Sequence, residues 1–206
     1  MRPAIKICGV TRPGDARLAV ELGAAYIGLN FYAGSPRCVS HRQARRIADE
    51  VAGECRLVAV VAGATRRDVA AILDEVGPDL VQFHGDERWS DIEPFAERAI
   101  KVLRVDERPE PRQLAEFAGV WGFLLDARHE DLLGGTGESW SWSRVGDLAD
   151  GRPIFLAGGI RPENVRAAAA TGADAIDVCS GVESAPGRKD RRLLERLFEE
   201  LNRASA

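Results

Sequence analysis

The sequence lacks several features that would assign it to a specialised class of protein. It carries 28 basic and 32 acidic side chains, a net charge of −4, so no basic excess favours nucleic acid or an anionic membrane as a partner. No apolar run reaches the roughly 18 residues needed to span a bilayer. Lys6 and Arg12 interrupt the N-terminal stretch, where a signal peptide would be continuously apolar. We therefore expect a cytoplasmic protein with neither nucleic acid nor membrane as a partner.

Cysteine and histidine are also scarce. The four cysteines, Cys8, Cys38, Cys55 and Cys179, form no CxxC pair, and there are only three histidines. In a reducing compartment such cysteines are expected to be free thiols, and the spacing of a zinc site is absent, so no metal is expected. No composition break, linker or repeat divides the chain, and we expect residues 1–206 to form one domain.

The sequence does contain a regular alternation of apolar, β-branched runs with helix-like segments. Eight such units in 206 residues leave about 26 residues each, near the lower limit of a (βα)8 barrel. A doubly wound open sheet of this length would usually have five or six strands. The count favours an α/β fold, a single-domain (βα)8 TIM barrel. The predicted strands are 4–8, 25–31, 56–61, 79–83, 99–104, 120–126, 153–157 and 173–178, and the clearest predicted helices are 12–23, 40–53, 65–77 (N-cap Thr65, stop at Gly77) and 189–203, with 111–117 short and 139–148 weak.

Polar side chains share one face of these strands. On the first strand Ile5 and Ile7 lie on one side, and Lys6 and Cys8 lie on the other. The isoleucines suit the helix layer, so Lys6 and Cys8 are predicted to point into the barrel. Unpaired buried charge is expensive, and barrel enzymes place their chemistry at the C-terminal ends of the strands. The other polar residues at or near strand ends are Asn30, Gln82, His84, Arg104, Asp126, Asp177 and Cys179.

Two glycine-containing loops follow the last two strands. Strand 153–157 runs into Gly158 and Gly159, and strand 173–178 is followed by Ser180 and Gly181. The segment after Gly159, with Pro162 near its first turn, is predicted to start a helix. Glycines let backbone N–H groups approach an anion, and a helix N-terminus adds partial positive charge. These loops therefore predict a phosphate site, in the usual place for this fold.

Seven motifs follow one another along almost the whole chain: KICGVT at 6–11, SPR at 35–37, QFHGDE at 82–87, LLDA at 124–127, GGTG at 134–137, LAGGIRPENV at 156–165 and SGVESAPGRKD at 180–190. Together they resemble the motifs of the phosphoribosylanthranilate isomerases of tryptophan biosynthesis. The resemblance implies a (βα)8 barrel, no metal or organic cofactor, and a small-molecule phosphoribosyl substrate that undergoes an Amadori rearrangement.

The resemblance also implies residue roles. It makes Cys8 the general base, Asp126 the general acid and Arg37 the contact to the anthranilate carboxylate, and loop 134–137 is expected to fold over substrate. A thiol needs a lowered pKa to act as a base at neutral pH, which nearby positive charge provides, whereas Asp126 needs a raised pKa. His84 is a candidate substrate-binding residue; the alternative is a histidine at the rim of the barrel whose hydrogen bonds are purely structural.

Other polar residues are expected to have structural roles. Lys6 is expected to form a core ion pair, with Asp177 or Asp126. Arg104 is expected to pair with a carboxylate inside the barrel, and Gln82 and Asn30 are expected to be hydrogen-bonding fillers near the substrate.

The chain departs from the family pattern at Cys38, Asn30, Trp140–Trp142 and Cys179. Cys179 stands where the family usually has serine. If the barrel closes, its first and eighth strands are neighbours, so Cys8 and Cys179 could lie close together and make the protein sensitive to oxidation. The departure at Trp140–Trp142 concerns only the details of the preceding loop.

Two alternatives stay open at this point. One is another phosphosugar barrel enzyme: a metal-dependent pentose-phosphate epimerase, or the histidine-pathway aminoaldose isomerase, which uses two aspartates. The other is a phosphometabolite-binding module without catalysis, which would not need both Cys8 and Asp126. The oligomeric state, monomer or homodimer, is also open.

Overall fold

In the computed structural model, eight parallel strands close into a barrel in chain order, each paired with the next and the eighth paired with the first. The structure describes residues 2–105, 111–127, 145 and 151–203. The predicted barrel is confirmed, and the predicted strands agree with the observed ones to within two residues. The strands are β1 (Ala4–Ile7), β2 (Tyr26–Asn30), β3 (Arg56–Val61), β4 (Leu80–Phe83), β5 (Ala99–Val105), β6 (Gly122–Ala127), β7 (Ile154–Ala157) and β8 (Ala175–Val178).

Closure of the barrel pairs its first strand with its last. In the β1–β8 pair, Lys6 lies opposite Asp177 and Ile7 lies opposite Val178. The ladder extends one step further, since the Cys8 N–H donates to the Val178 carbonyl at 2.9 Å. The residues that follow β1 and β8 therefore start side by side at the C-terminal mouth of the barrel.

Helices surround the barrel. In α3, the Thr65 side chain and Asp68 form a reciprocal capping box, and Gly77 ends the helix with φ +70, so both predicted boundaries are confirmed. The predicted weak helix at 139–148 falls outside the described residues, apart from residue 145. The helices are α1 (Pro13–Glu21), α2 (His41–Glu50), α3 (Arg66–Val76), α4 (Trp89–Ile92), α5 (Pro111–Glu116), α6 (Val165–Ala169) and α7 (Arg191–Arg203), with 3-10 turns at Glu93–Arg98 and Ser180–Val182.

The helix predicted to begin near Pro162 begins three residues later, at Val165. The Asn164 side chain is the reason, because it accepts from the Arg161 N–H at 2.8 Å and donates to the Gly159 carbonyl at 3.0 Å. These bonds close a turn before the helix can start. That turn keeps Gly158 and Gly159 in an open loop.

An antiparallel hairpin follows the barrel, made of β9 (Glu183–Ala185) and β10 (Arg188–Lys189). It lies between β8 and α7, at the end of the barrel where the polar residues gather. Neither strand of this hairpin is expected from the sequence pattern.

The strand alternation divides the core as predicted. One apolar cluster fills the barrel interior, and a larger one lies between the strands and the helices, with Ile5 and Ile7 in the larger one. No helix in the described part of the chain is both long enough and apolar enough to cross a bilayer. The interior cluster consists of Val58, Leu80, Ile100, Val102, Leu124, Phe155, Ala157 and Ala175.

Candidate active site

A cavity of about 240 Å³ opens at the C-terminal mouth of the barrel. Every site residue predicted from the sequence lines it, except Gly181, which lies just behind Ser180. Residues distant in sequence are thus brought to one small space by the ends of β1, β4, β6, β7 and β8 and by the loop after β2. The predicted residues that line the cavity are Cys8, Arg37, His84, Asp126, Gly158, Gly159 and Ser180.

Cys8 directly follows β1, is buried and lines the cavity. Its pKa lies well below the ordinary value of a thiol. Interaction with the neighbouring Cys179 thiol is the main cause, and the Lys6 and Lys189 ammonium groups add to it, against the opposing effect of burial. The same interaction raises the pKa of Cys179. Cys8 is therefore the thiolate of the pair, and Cys179 keeps its proton.

Below Cys8 lies a buried ion pair. The Lys6 Nζ is 2.9 Å from Oδ1 of Asp177, and the Lys6 side chain is 0% exposed. The expected ion pair of Lys6 is confirmed, with Asp177 rather than Asp126 as its partner. Burial opposes the charge on Lys6, yet Asp177 and Cys8 together raise its pKa above the ordinary value. Burial and the neighbouring Cys8 raise the pKa of Asp177 to about 7.

Asp126, on β6, stands beside His84, whose Nε2 lies 3.3 Å from the Asp126 Oδ2. Gln82, buried on β4, brings its Nε2 to 3.5 Å from the other ring nitrogen of His84. Gln82 and His84 therefore form a chain of polar contacts that ends on the Asp126 carboxyl group.

Two expectations for rim residues have different outcomes. Asn30 lines the cavity, and its Oδ1 accepts from the Tyr32 N–H at 2.8 Å, so its predicted role as a hydrogen-bonding residue is confirmed. The expectation for Arg104 is wrong. Its side chain is exposed, and within the described residues its Nη2 donates to the His84 carbonyl at 3.3 Å and pairs with no carboxylate in the interior. Arg104 lies near the end of β5, so its long side chain reaches solvent.

Arg37, in the loop after β2, is held by a residue that the sequence analysis does not identify. Its Nε lies 3.0 Å from Oε1 of Glu183, and its Nη2 lies 2.6 Å from Oε2. Lys189 binds the same carboxylate, with the Nζ 2.9 Å from Oε1. The motif SGVESAPGRKD contains both Glu183 and Lys189, but nothing in its spacing indicates a contact with Arg37.

The loops after β7 and β8 fit together closely. Gly158 and Gly159 have φ values of +108 and +61, which favour glycine. A Cβ on Gly181 would stand 2.0 Å from the Ile160 carbonyl oxygen. Gly181 is therefore required for the approach of the two loops, whose backbone frames one side of the cavity. Ser180 begins a 3-10 turn rather than an α-helix.

A further buried ion pair supports the rim between β3 and β5. The Lys101 Nζ lies 3.1 Å from Oε2 of Glu87 and 2.7 Å from the Gly85 carbonyl. Glu87 in turn accepts from the Gly63 N–H at 3.0 Å and from the Gly85 N–H at 2.9 Å. This pair fixes the loop that carries His84. The alternation places Lys101 outside the barrel interior, but its partner could not be read from the pattern.

Potential metal ligands do not gather in the described residues, where no three His, Cys, Asp or Glu side chains could hold an ion together. All four cysteines are free thiols, as predicted. The loop GGTG at 134–137 and Trp140–Trp142 lie outside the described residues, so the lid remains a prediction.

Known proteins resemble the chain in sequence and in fold. The family model described as N-(5′-phosphoribosyl)anthranilate (PRA) isomerase matches residues 5–200. The N-(5′-phosphoribosyl)anthranilate isomerase of Azotobacter vinelandii is 42% identical over 201 residues, which cover 97% of each chain. The crystal structure of the Thermotoga maritima phosphoribosyl anthranilate isomerase superimposes with a TM-score of 0.84 at 32% identity, covering 97% of this chain and 98% of that one. A further solved structure, a phosphoribosyl anthranilate isomerase in complex with reduced 1-(o-carboxyphenylamino)-1-deoxyribulose 5-phosphate, has a TM-score of 0.83 at 30% identity and covers 97% of this chain and 98% of that chain.

Proposed function

This chain belongs to the N-(5′-phosphoribosyl)anthranilate isomerase family, and we infer that it catalyses an Amadori rearrangement in tryptophan biosynthesis. The substrate is N-(5′-phosphoribosyl)anthranilate, and the product is 1-(2-carboxyphenylamino)-1-deoxyribulose 5-phosphate. We propose Cys8 as the general base and Asp126 as the general acid. The observation that best supports these roles is that both side chains line the same 240 Å³ cavity.

The reaction needs one proton delivered and another removed. Asp126 gives its proton to the ribose ring oxygen, the ring opens, and the electron pair on the amine nitrogen forms a Schiff base at C1′. The Cys8 thiolate then removes the proton from C2′, and the resulting enolamine tautomerises to the ketone. The lowered pKa of Cys8 keeps the base ready at neutral pH. His84, 3.3 Å from Asp126, is placed to exchange a proton with it when the acid is restored.

The remaining site residues bind the two anionic ends of the substrate. Arg37 holds the anthranilate carboxylate, since a guanidinium group can present two parallel N–H donors to it. Backbone N–H groups of Gly158, Gly159 and Gly181, with Ser180, hold the phosphate. With both ends fixed, the carbon chain lies between the thiolate and the carboxyl group.

Complementation tests the function directly. The wild-type gene is expected to restore growth of a tryptophan auxotroph that lacks this step, and the purified protein is expected to convert N-(5′-phosphoribosyl)anthranilate to the ketose. A phosphometabolite-binding module would bind the substrate without turnover. Another phosphosugar enzyme would leave the auxotroph unrescued and act on its own substrate, and either result would reject the proposal. A cytoplasmic location and a monomeric or homodimeric state remain predictions.

Replacing Gly181 with alanine is expected to weaken phosphate binding. The added Cβ would overlap the Ile160 carbonyl oxygen at 2.0 Å, so the loops after β7 and β8 must separate. We expect KM to rise about tenfold, because hydrogen bonds to a charged group are lost. We also expect unfolding free energy to fall by about 1–3 kcal/mol from overpacking. The matched control is Gly14→Ala, in α1, where a Cβ meets no atom within 4 Å. Equal KM values for Gly181→Ala and the wild type would contradict the assignment.

A further inference from the structure

We propose that Glu183 is a positioning residue that presents Arg37 to the carboxylate of the substrate. The inference rests on the proposed function, in which Arg37 binds that carboxylate. Glu183 belongs to the hairpin β9–β10 and takes no part in the proposed proton transfers of the rearrangement. Its side chain is only 4% exposed, so its carboxylate is part of the structure rather than a surface charge.

The contact occupies one edge of the guanidinium group. Nε and Nη2 of Arg37 bind the two oxygens of Glu183 in a fork-to-fork arrangement, at distances between 2.6 and 3.1 Å. Within the described residues, no acceptor bonds to Nη1. The Nη1–Nη2 edge is therefore available for a second carboxylate, and the Arg37 side chain lines the cavity. Glu183 fixes the plane of the guanidinium group so that this edge is presented to the substrate.

The charges of the cluster support a role beyond neutralising Arg37. Lys189 shares the Glu183 carboxylate, and its side chain is fully buried. Two cations around one carboxylate leave a net charge of +1 beside the cavity, which favours an incoming anion. Although burial opposes it, the hydrogen bonds from Arg37 and Lys189 hold the pKa of Glu183 below its ordinary value. The carboxylate thus stays charged at neutral pH.

The hairpin is braced by one internal hydrogen bond and anchored to the segment after β1 by two others. The Gly187 N–H donates to Glu183 at 3.2 Å, and the Thr11 hydroxyl donates to the Gly187 carbonyl at 2.5 Å. The Lys189 N–H donates to Asp15 at 3.0 Å. Because these anchors join the hairpin to the segment after β1, Glu183 is a rigid support for a residue carried on a different loop.

A positioning role and a simple counter-charge role predict opposite results for Glu183→Gln. If Glu183 only neutralised Arg37, its removal would add net positive charge to the site and lower KM for an anionic substrate. If it positions Arg37, the loss of one charged hydrogen-bond acceptor lets the guanidinium group rotate, and KM rises. The effect must also depend on the substrate's carboxylate, because only that group uses the presented edge.

The experiment compares two substrates: N-(5′-phosphoribosyl)anthranilate and N-(5′-phosphoribosyl)aniline, which lacks only the carboxylate. We expect Glu183→Gln to raise KM for the first about tenfold with kcat within about twofold. We expect kcat/KM for the second to change by less than about twofold. The matched control is Glu54→Gln, which removes a charged partner of Arg17 at 2.8 Å on the outer surface.

The outcomes separate the inference from the function on which it rests. If the wild type turns over neither substrate, the proposed function fails. If the wild type is active, a lowered KM in Glu183→Gln, or an equal loss on both substrates, overturns the positioning role. Thermal unfolding verifies that the variant is folded. If Glu183→Gln does not fold, Glu183→Asp is tested in its place. This variant keeps the charge but shortens the side chain, and we expect it to show the same selective loss.

We also infer, from the β1–β8 register, that Cys8 and Cys179 can form a disulfide bond. The register pairs Lys6 with Asp177 and Ile7 with Val178, so its next step places Cys8 opposite Cys179. Neighbouring strands lie about 4.8 Å apart, within the Cα separation of disulfides. A Cβ on Gly9 would stand 3.1 Å from the Cys179 Sγ, which puts this sulfur directly against the residue after Cys8.

Formation of a disulfide from two thiols requires a two-electron oxidant, and we propose hydrogen peroxide for this role. The Cys8 thiolate attacks one peroxide oxygen, the O–O bond breaks, and the second oxygen leaves as hydroxide, giving a sulfenic acid. The Cys8 thiolate that raised the pKa of Cys179 is then gone; burial still raises this pKa, and Lys189 and Arg37 lower it. Cys179 attacks the sulfenic sulfur, water leaves, and the S–S bond forms.

Peroxide treatment, alkylation of free thiols and peptide mass spectrometry test the pair. We expect a linked Cys8–Cys179 peptide, with nearly all activity lost and then restored by dithiothreitol. Cys179→Ser is expected to give no linked peptide and less recovery, because Cys8 oxidises further. Cys55→Ser, which removes a half-buried thiol whose pKa burial raises to about 11, is expected to behave as the wild type. Unlinked, irreversibly oxidised Cys8 in the wild type would overturn the inference, and so would unchanged activity.

Discussion

Replacing Cys8 with alanine is expected to lower kcat/KM about 10³-fold, the usual loss when a positioned general base is removed. Asp126→Asn is expected to lose a similar factor, because an amide cannot give a proton to the ring oxygen. Both variants should fail to restore growth of the tryptophan auxotroph. Steady-state turnover of N-(5′-phosphoribosyl)anthranilate by the purified variants gives the measurement.

Binding separates a lost catalytic group from a collapsed site. Both variants should still bind the reduced product analogue, 1-(o-carboxyphenylamino)-1-deoxyribulose 5-phosphate, with an affinity near that of the wild type, measured by calorimetry. Cys38→Ala, which removes an exposed thiol, is the control that should keep full activity. If either variant kept more than about a tenth of the wild-type rate, its residue would not have the proposed role.

Replacing Lys6 with methionine is expected to destabilise the fold and to shift the pH dependence of activity. Breaking a buried pair costs about 3–5 kcal/mol, because Asp177, 2.9 Å from the lost ammonium, is then buried either as an unpaired carboxylate or in its protonated form. Lys6 also lowers the pKa of Cys8, so its loss raises that pKa. We expect the acidic limb of kcat/KM to move up by about one pH unit. Urea unfolding and a pH–rate profile measure the two effects.

The sign of the stability change with pH follows from Asp177. Its pKa is already raised to about 7 in the folded wild type, and it rises further without Lys6. A carboxyl group that binds its proton more tightly when folded is most stabilising at low pH, and stability falls as pH rises above the unfolded value near 4. The deficit of Lys6→Met relative to the wild type should therefore be larger at pH 8 than at pH 5.

The chain offers a matched control in another buried lysine, Lys101. Lys101→Met breaks the pair with Glu87 and should also reduce stability, but Lys101 does not line the cavity that holds Cys8 and is not among the main groups that lower the pKa of Cys8. The acidic limb of the pH–rate profile of Lys101→Met should stay at the wild-type position. In the double variant Lys6→Met/Asp177→Asn, part of the lost stability should return, because no carboxyl group remains unpaired. An unmoved acidic limb in Lys6→Met would contradict the role of its ammonium group.

Much of the fold follows from the sequence because it is encoded locally. The apolar runs locate the strands, and the period of two assigns Ile5 to the helix layer and Lys6 to the interior. Thr65 and Gly77 set the ends of α3 through their own backbone geometry. The start of α6 does not follow, because the bonds of the Asn164 side chain to Gly159 and Arg161 depend on how the loop is folded.

For the site, the sequence predicts the candidate residues but not the contacts between them. Cys8 alone would be taken for a small buried residue, and only the combined motifs of a family indicate a base. The contact between Arg37 and Glu183 joins residues 146 positions apart, through a hairpin that has no strand pattern. The error for Arg104 has the opposite cause, since its place on the strand is predicted well but the reach of its side chain is not. Long-range partners and side-chain direction are therefore what the sequence leaves open.

The Lys101–Glu87 pair has a consequence for protein engineering. The Glu87 carboxylate accepts hydrogen bonds from the N–H groups of both Gly63 and Gly85, so the loops after β3 and β4 are held together by one side chain. Exchanging the loop after β4 alone would remove Glu87 and leave the Lys101 ammonium group unpaired in the interior, and exchanging the loop after β3 alone would take the Gly63 donor from Glu87. Modular grafting on this scaffold must therefore move both loops, together with the lysine on β5, as one cassette.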